Sequence, residues 1–440
     1  MTQKVPKRIA TTIINSLRGG VVPRVGTGYI AVGRQAEIKA LLDDVSIIED
    51  GGATFRFIVG KYGSGKSFLL QTIRTYTMDK GFVVIDGDLS PERRLMGTGG
   101  QGLATYRELM NNLSTKTKPD GGALPLILDR WINSIKTEVM TEQTLSPDSQ
   151  EFDRAVEVKI FRVINDIQQM VGGFDFAKAI TMYYNAVRTG NDIQKNAVLQ
   201  WLRGEYKTKT EIKNALGINA MITDENWYDY IKLFAAFLVR AGYKGMLMLI
   251  DELINIYKVP NAITRQYNYE KILTMYNDTL QGKAHHLGII MCGTPQCIED
   301  EHRGVFSYQA LKSRLQSGWF ADANTVDLLS PIIRLVPLTY EELFVLIEKL
   351  ANIHADLYDY QMSISQDDMI AFLKMEFSRI GASANITPRE VIRDFIEVLN
   401  ILYQNPTKKI TDILGDKTVV LSENKETEES IHQEFADFEL

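Results

Sequence analysis

The eight residues Gly60-Lys61-Tyr62-Gly63-Ser64-Gly65-Lys66-Ser67 constrain this chain more than any other stretch. They follow a short β-favouring apolar run (Phe55, Phe57, Ile58, Val59) and open directly into a helix-compatible segment, Phe68 to Tyr76. Strand, glycine loop and helix in that order form the phosphate-binding pattern Gly-x-x-x-x-Gly-Lys-Ser. Gly60, Gly63 and Gly65 can take left-handed dihedrals without a Cβ penalty, so successive N–H groups can converge on a phosphate. The helix N-terminus adds partial positive charge at the same place. Lys66 is then expected to reach the β- and γ-phosphates, and the Ser67 hydroxyl to hold Mg²⁺. Lys61, Tyr62, Ser64 and Phe68 complete the expected cradle. The bland alternative, a chance glycine-rich turn before an amphipathic helix, does not account for the full pattern in its strand–helix context. The chain is therefore expected to bind ATP, with Mg²⁺ as its only metal.

A second motif supports the first. Met246-Leu247-Met248-Leu249-Ile250-Asp251-Glu252 reads as a buried parallel strand delivering two carboxylates at its C-terminal edge, where ligands bind in open α/β sheets. Asp251 is expected to hold Mg²⁺ through its water shell, and Glu252 to orient and polarise the attacking water. A solvated Asp-Glu turn is the alternative, and its pairing with the glycine loop weighs against it. Residues 81–88 read as a further buried strand. Strands alternating with helices predict a parallel sheet covered by helices. Between about residues 90 and 241 only helical patterns recur, as over 153–170, with polar breaks at 114–122 and 141–150 expected to be exposed loops. That stretch reads as a largely α-helical insertion separating Lys66 from Asp251.

Further strands are expected at 287–293 and 332–335. A helix capped by Thr339 and Glu342 should follow the last strand, and helical patterns run through 341–402. Thr387 reads as a cap with Pro388 at the first helical position and Arg389 projecting from the first turn. An arginine there opposes the helix dipole, so a γ-phosphate is one explanation and an exposed surface position the other. Arg314, at the end of a helix, is placed where an arginine finger would sit, with Arg303 in reserve; a surface salt bridge is the competing reading of either. Within the insertion, Trp201-Leu202-Arg203-Gly204-Glu205-Tyr206-Lys207-Thr208-Lys209 mixes aromatic and basic residues. A packed Trp beside a solvated basic turn is favoured there over nucleic-acid contact.

Composition narrows the classes. The 440 residues are 45% hydrophobic and 24% charged, as in a soluble globular protein with room for two or three domains. A formal charge of −6 gives no global basic field for nucleic acid, although a single basic face would suffice for DNA. The N-terminus lacks an apolar core of the signal-peptide kind, and no apolar run reaches a membrane span. Two cysteines, Cys292 and Cys297, suit a reduced, cytoplasmic setting, and they and the five histidines have no familiar metal spacing. Residues 422–440 are acidic and read as a solvated tail, with Phe435, Phe438 and Leu440 as possible partner contacts.

Several phrases carry a family resemblance. Ala31-Val32-Gly33-Arg34 followed by Glu37 resembles the segment before the phosphate loop in AAA+ ATPases, where it packs beside the adenine; this makes Val32 and Gly33 base-contact candidates, a tight turn being the alternative. In the same proteins the strand after the acidic one ends in a polar residue that helps place the water. Thr294 occupies that place, and could equally be a helix N-cap. Gly19-Gly20-Val21-Val22-Pro23, Ala31 to Arg34, Phe55 to Ser67, Trp201 to Gly204, Gly293-Thr294-Pro295 and Ile386-Thr387-Pro388-Arg389-Glu390 together resemble the BrxC/BrxD group of P-loop ATPases of BREX bacteriophage-defence systems. The resemblance runs from about residue 8 to 400. It implies an α/β, three-layer P-loop NTPase (AAA+-like) core with a parallel sheet, a large α-helical insertion and an α-helical lid.

The corresponding segments are 1–89, an N-terminal helix and the first part of the core; 90–241, the insertion; 242–336, the second part of the core; 337–405, the lid; and 406–440, the C-terminal segment and tail. The activity expected is Mg²⁺-dependent ATP hydrolysis, with Lys66, Glu252, Thr294, Arg314 and Arg389 in catalytic roles. It would drive a homo-oligomer, or a helicase or nuclease partner, acting on DNA. The other reading is a nucleotide-gated scaffold that recruits such a partner with little turnover.

Overall fold

The computed structural model describes residues 4–143, 145–165, 170–316, 327–379 and 387–414. Five strands form one sheet: β1 (Ala53–Val59), β2 (Val83–Asp88), β3 (Met246–Asp251), β4 (Leu287–Gly293) and β5 (Ile332–Arg334). Their order is β2-β3-β4-β1-β5, and every pairing is parallel. The central β4 is buried along its whole length, as is β3 up to Ile250. This is why both read as near-continuous apolar runs rather than as alternations.

Period-two geometry sends alternate residues to opposite faces. Ile58, Val84, Leu247, Leu249, Ile290, Cys292 and Ile333 pack under two helices, Gln35–Glu49 and Lys66–Asp79. Phe55, Phe57, Val59, Val83, Ile85, Met246, Met248, Ile250, Ile289 and Met291 face the other way. They share one continuous core with helix Ala262–Leu280 and with the helices that separate β2 from β3. The sheet therefore lies between two helical layers.

Among the described residues, seven helices lie between β2 and β3, from Gln101–Asn111 to Trp227–Arg240, with no named strand. They pack as one body with the sheet, around Trp131, Phe176, Phe234 and Phe237, whose rings meet edge-on or tilted. Two details differ from the sequence expectations. The break at 114–122 is not wholly an exposed loop: Ser114 and Thr115 are buried, and Ser114 bridges Val84 of β2 antiparallel. Helix Gln150–Asn165 starts before and stops short of the 153–170 pattern, and residues 166–169 lie outside the described residues.

Trp201 is buried and donates its Nε1–H to Ala220 O at 2.9 Å, while Lys207 and Lys209 are exposed. This is the packed-Trp arrangement.

The chain divides into two compact units. The larger runs from Val21 to Thr339 and contains the sheet together with the insertion. The smaller joins residues up to Gly20 with those from Tyr340 onward. In it, helix Lys7–Arg18 packs on helices Tyr340–Tyr358 and Pro388–Gln404 through Ala10, Ile13, Ile14 and Leu17. The N-terminal helix, grouped with the core on sequence, thus belongs with the C-terminal helices. Ile386 and the acidic tail lie outside the described residues.

Candidate functional site: a phosphate cradle at the C-terminal sheet edge

β1 ends at Val59 and the chain turns through Gly60–Gly65 into helix Lys66–Asp79. Gly63 and Gly65 have φ of 72° and 94°, a conformation side chains rarely adopt, so these two positions need glycine. Gly60 is required for a different reason: a Cβ there would lie 2.5 Å from Ser64 Oγ. Ser64 Oγ is itself buried without a hydrogen-bond partner among the described residues. The loop is thus wound tightly enough that backbone and hydroxyl groups converge, as a phosphate cradle requires.

Lys66 Nζ curls over this loop, donating to Gly60 O at 2.8 Å and Lys61 O at 2.9 Å. It also stands 5.5 Å from the Tyr62 ring centroid. Burial lowers its pKa, and the negative charge of Asp251 opposes that effect.

β3 delivers Asp251 to the same edge. Asp251 takes the sheet face covered by the loop helix, and Ser67 Oγ donates to its Oδ2 at 2.8 Å. Its Oδ1 accepts the Glu252 N–H at 2.8 Å. Glu252 is exposed, with φ of 61°. A left-handed glutamate is strained, and such outliers concentrate where a side chain must be aimed. Leu253 N–H, donated to Cys292 O at 3.2 Å, ties the turn to β4.

A hydroxyl and a carboxylate held together at a glycine loop are hard oxygen donors, the set that Mg²⁺ takes when phosphate and water complete its shell. The residues present fit that ion. Among the described residues, no group of three His, Cys, Asp or Glu side chains is gathered that could hold a metal alone.

Thr294 reaches this edge as well, since Gly60 N–H donates to Gly293 O at 3.1 Å. Its hydroxyl accepts the Cys297 N–H at 3.4 Å, so it caps the short helix Pro295–Glu299. Cys292 and Cys297 are buried and free; burial raises both thiols, Cys297 to about 11. Unreactive packing residues behave in this way.

Arg314 is exposed near the end of helix Gln309–Leu315 and donates to Ala310 O at 2.7 Å. It acts electrostatically on Tyr276, whose ring stands edge-on to Phe55 at 5.6 Å. Phe55 lies near the start of β1, about 13 Å along the strand from Val59. Among the described residues, Arg314 makes no hydrogen bond or ion pair with the phosphate loop; its bond is to Ala310 within its own helix. Arg303 is held internally, over the Tyr257 ring at 5.4 Å and against the carbonyls of Tyr257 and Val259. Arg389 is exposed in the first turn of helix Pro388–Gln404, in the smaller unit, where Thr387 N–H donates to Glu390 at 3.3 Å.

Val32 and Gly33 are half-buried ahead of helix Gln35–Glu49. Gly33, with Gly28, Ala31, Ile38, Leu42 and Tyr76, lines an open cavity of about 580 Å³ that Val32 does not border.

Two residues at the site escaped the sequence reading. Asp88 ends β2 in register with Asp251, on the same face. Burial, and then the charge of Asp251, push its carboxyl above the ordinary range. Its signal was an acidic residue closing an apolar strand, the same sign that exposed Asp251. The other is Arg34, whose guanidinium touches the loop itself, donating to Ser64 O at 3.2 Å.

A family model described as BREX system ATP-binding protein BrxC/D matches residues 5–418. Among curated proteins, none matches the chain.

Proposed function

The chain belongs to the BREX system ATP-binding protein BrxC/D family, and from that premise we infer that it is a Mg²⁺-dependent ATPase. Its nucleotide state would be coupled to assembly and to action on DNA, or on a helicase or nuclease partner. One observation carries the reading: Lys66, the Ser67–Asp251 pair and Glu252 converge on one edge of a parallel sheet.

Glycine-loop N–H groups and Lys66 would bind the β- and γ-phosphates. Ser67 and Asp251 would hold Mg²⁺, which when bound neutralises charge building on the phosphate oxygens. Glu252, projecting from its strained turn, would orient the attacking water. Arg314, exposed near the end of its helix and, among the described residues, bonded only within it, is the candidate finger for a neighbouring copy. Arg389 is the candidate for sensing nucleotide from the lid helices. No described helix is long and apolar enough to cross a membrane, and a cytoplasmic protein is the natural form of this reading.

Glu252→Gln tests the assignment. It should retain ATP binding while losing about 10²- to 10⁴-fold in turnover, as removal of a general base does. Unchanged turnover would refute the role of Glu252. Steady-state hydrolysis with and without DNA then separates a motor, which DNA should stimulate strongly, from a nucleotide-gated scaffold with slow, DNA-independent turnover.

A further inference from the structure

Arg34 is one of four described non-glycine residues with positive φ, at 62°, directly after Gly33 at 64°. Its side chain is only 7% exposed. Nη1 pairs with Glu37 Oε1 at 3.1 Å, one turn into the helix that Arg34 precedes. Nη2 donates twice, to Ser64 O at 3.2 Å and to Val336 O at 2.6 Å. One nitrogen therefore bridges the phosphate loop and the segment leaving β5, which are far apart in sequence.

Both acceptors matter. The Ser64 carbonyl belongs to the peptide whose N–H is that of Gly65. In a trans peptide C=O and N–H point in opposite directions, so a guanidinium holding Ser64 O fixes where the Gly65 N–H is aimed. Gly65 is the N-cap of the loop helix, and its N–H is one of the donors a phosphate would meet. Val336 lies just past β5, whose exit is anchored by Leu335 N–H donating to Val59 O at 2.8 Å. Three residues separate it from Tyr340, where the smaller unit begins. A guanidinium fork suits this double duty, because its N–H directions are fixed relative to one another, unlike those of an ammonium.

We propose that Arg34 is a positioning residue that couples the orientation of the Ser64–Gly65 peptide to the segment 336–339 leading out of the sheet. A phosphate engaging the Gly65 N–H rotates or tightens that peptide, and the shared Nη2 passes the change to Val336. The proposal rests on the reading of residues 60–67 as a nucleotide site, and extends it to how occupancy is reported beyond that site.

The test uses full-length protein with Mg²⁺ and the slowly hydrolysed analogue ATPγS. Affinity is followed by isothermal titration calorimetry, and amide hydrogen exchange is read over 327–345. Wild type should bind and change exchange at 336–340. Arg34→Lys, which keeps the charge but loses the fork, should lose about fivefold or more in affinity and the exchange change at 336–340. Its melting temperature without nucleotide should stay near wild type; if it instead fails to fold, Arg34→Gln takes its place with the same two readouts. Glu37→Gln removes the ion pair while leaving both carbonyl bonds, and should keep the exchange response.

An intact response in the Arg34 variant, or a Glu37→Gln variant that loses the response as fully, would overturn the coupling. So would wild type that binds nucleotide without any change at 336–340. Failure of wild type to bind nucleotide would instead overturn the site reading beneath it.

Discussion

At the scale of single residues, the site is built from backbone more than from charge. Gly60 is the sharpest case, because the clash a Cβ would make is with Ser64 Oγ inside the loop. Gly60→Ala should reduce ATP affinity at least tenfold with little change in melting temperature, measured by equilibrium nucleotide titration and thermal denaturation. Lys66→Ala should abolish detectable ATP binding in the same titration, since its ammonium is held over the loop's carbonyls where the phosphates would lie. The loop, Asp251 and Glu252 were legible in the sequence because each is a local pattern: glycines at fixed offsets, and acids ending an apolar run. The left-handed backbone of Glu252 was not, nor was the bridge from Arg34 to Val336. Both depend on what packs alongside, which residue order does not contain.

At the scale of elements, the sheet is tied to its helices by buried charges that leave no sequence signature. Arg56, on β1, donates Nε and Nη2 to the two carboxylate oxygens of Asp44 at 2.6 and 2.7 Å, and Nη1 to Leu329 O and Ser330 O at 2.6 Å. Removing one partner of such a pair leaves an uncompensated buried charge. Asp44→Leu should therefore cost about 3–5 kcal/mol, read as a lower denaturant midpoint at unchanged slope. In the smaller unit, His354 joins two helices: its ring nitrogens meet Tyr360 Oη at 2.9 Å and Asn400 Oδ1 at 3.2 Å, with the rings of Tyr358 and Tyr403 beside it.

Burial holds the His354 pKa below its ordinary 6.5, so the folded form favours the neutral ring. The unfolded chain then binds more protons, and stability falls as pH drops below about 6.5. Melting of this unit between pH 7.5 and 5.5 should show the decline, and His354→Gln should flatten it. Strands β1, β3 and β4 were readable from apolar runs buried on both faces. The affiliation of helix Lys7–Arg18 was not, because an amphipathic stripe says that a face is covered without saying by what.

At the scale of the whole molecule, the exposed position of Arg314 near the end of its helix makes one outcome specific. If Arg314 completes a neighbour's site, Arg314→Ala alone should lower turnover about 10³-fold or more. Mixing it with Lys66→Ala, also inactive alone, should restore part of the turnover, since some intact loops would then face intact arginines. Mixtures that stay inactive would return Arg314 to an ordinary surface role. Sheet topology has a separate consequence for synthesis. β1 has only β4 and β5 as neighbours, and both are encoded far downstream, beyond the insertion. A growing chain therefore displays its glycine loop on an unpaired strand while about 200 more residues are made, some 10–40 s at ordinary elongation rates. Until β4 has left the ribosome, β1 has no partner strand on either side, so the sheet edge that frames the glycine loop is incomplete in every unfinished copy.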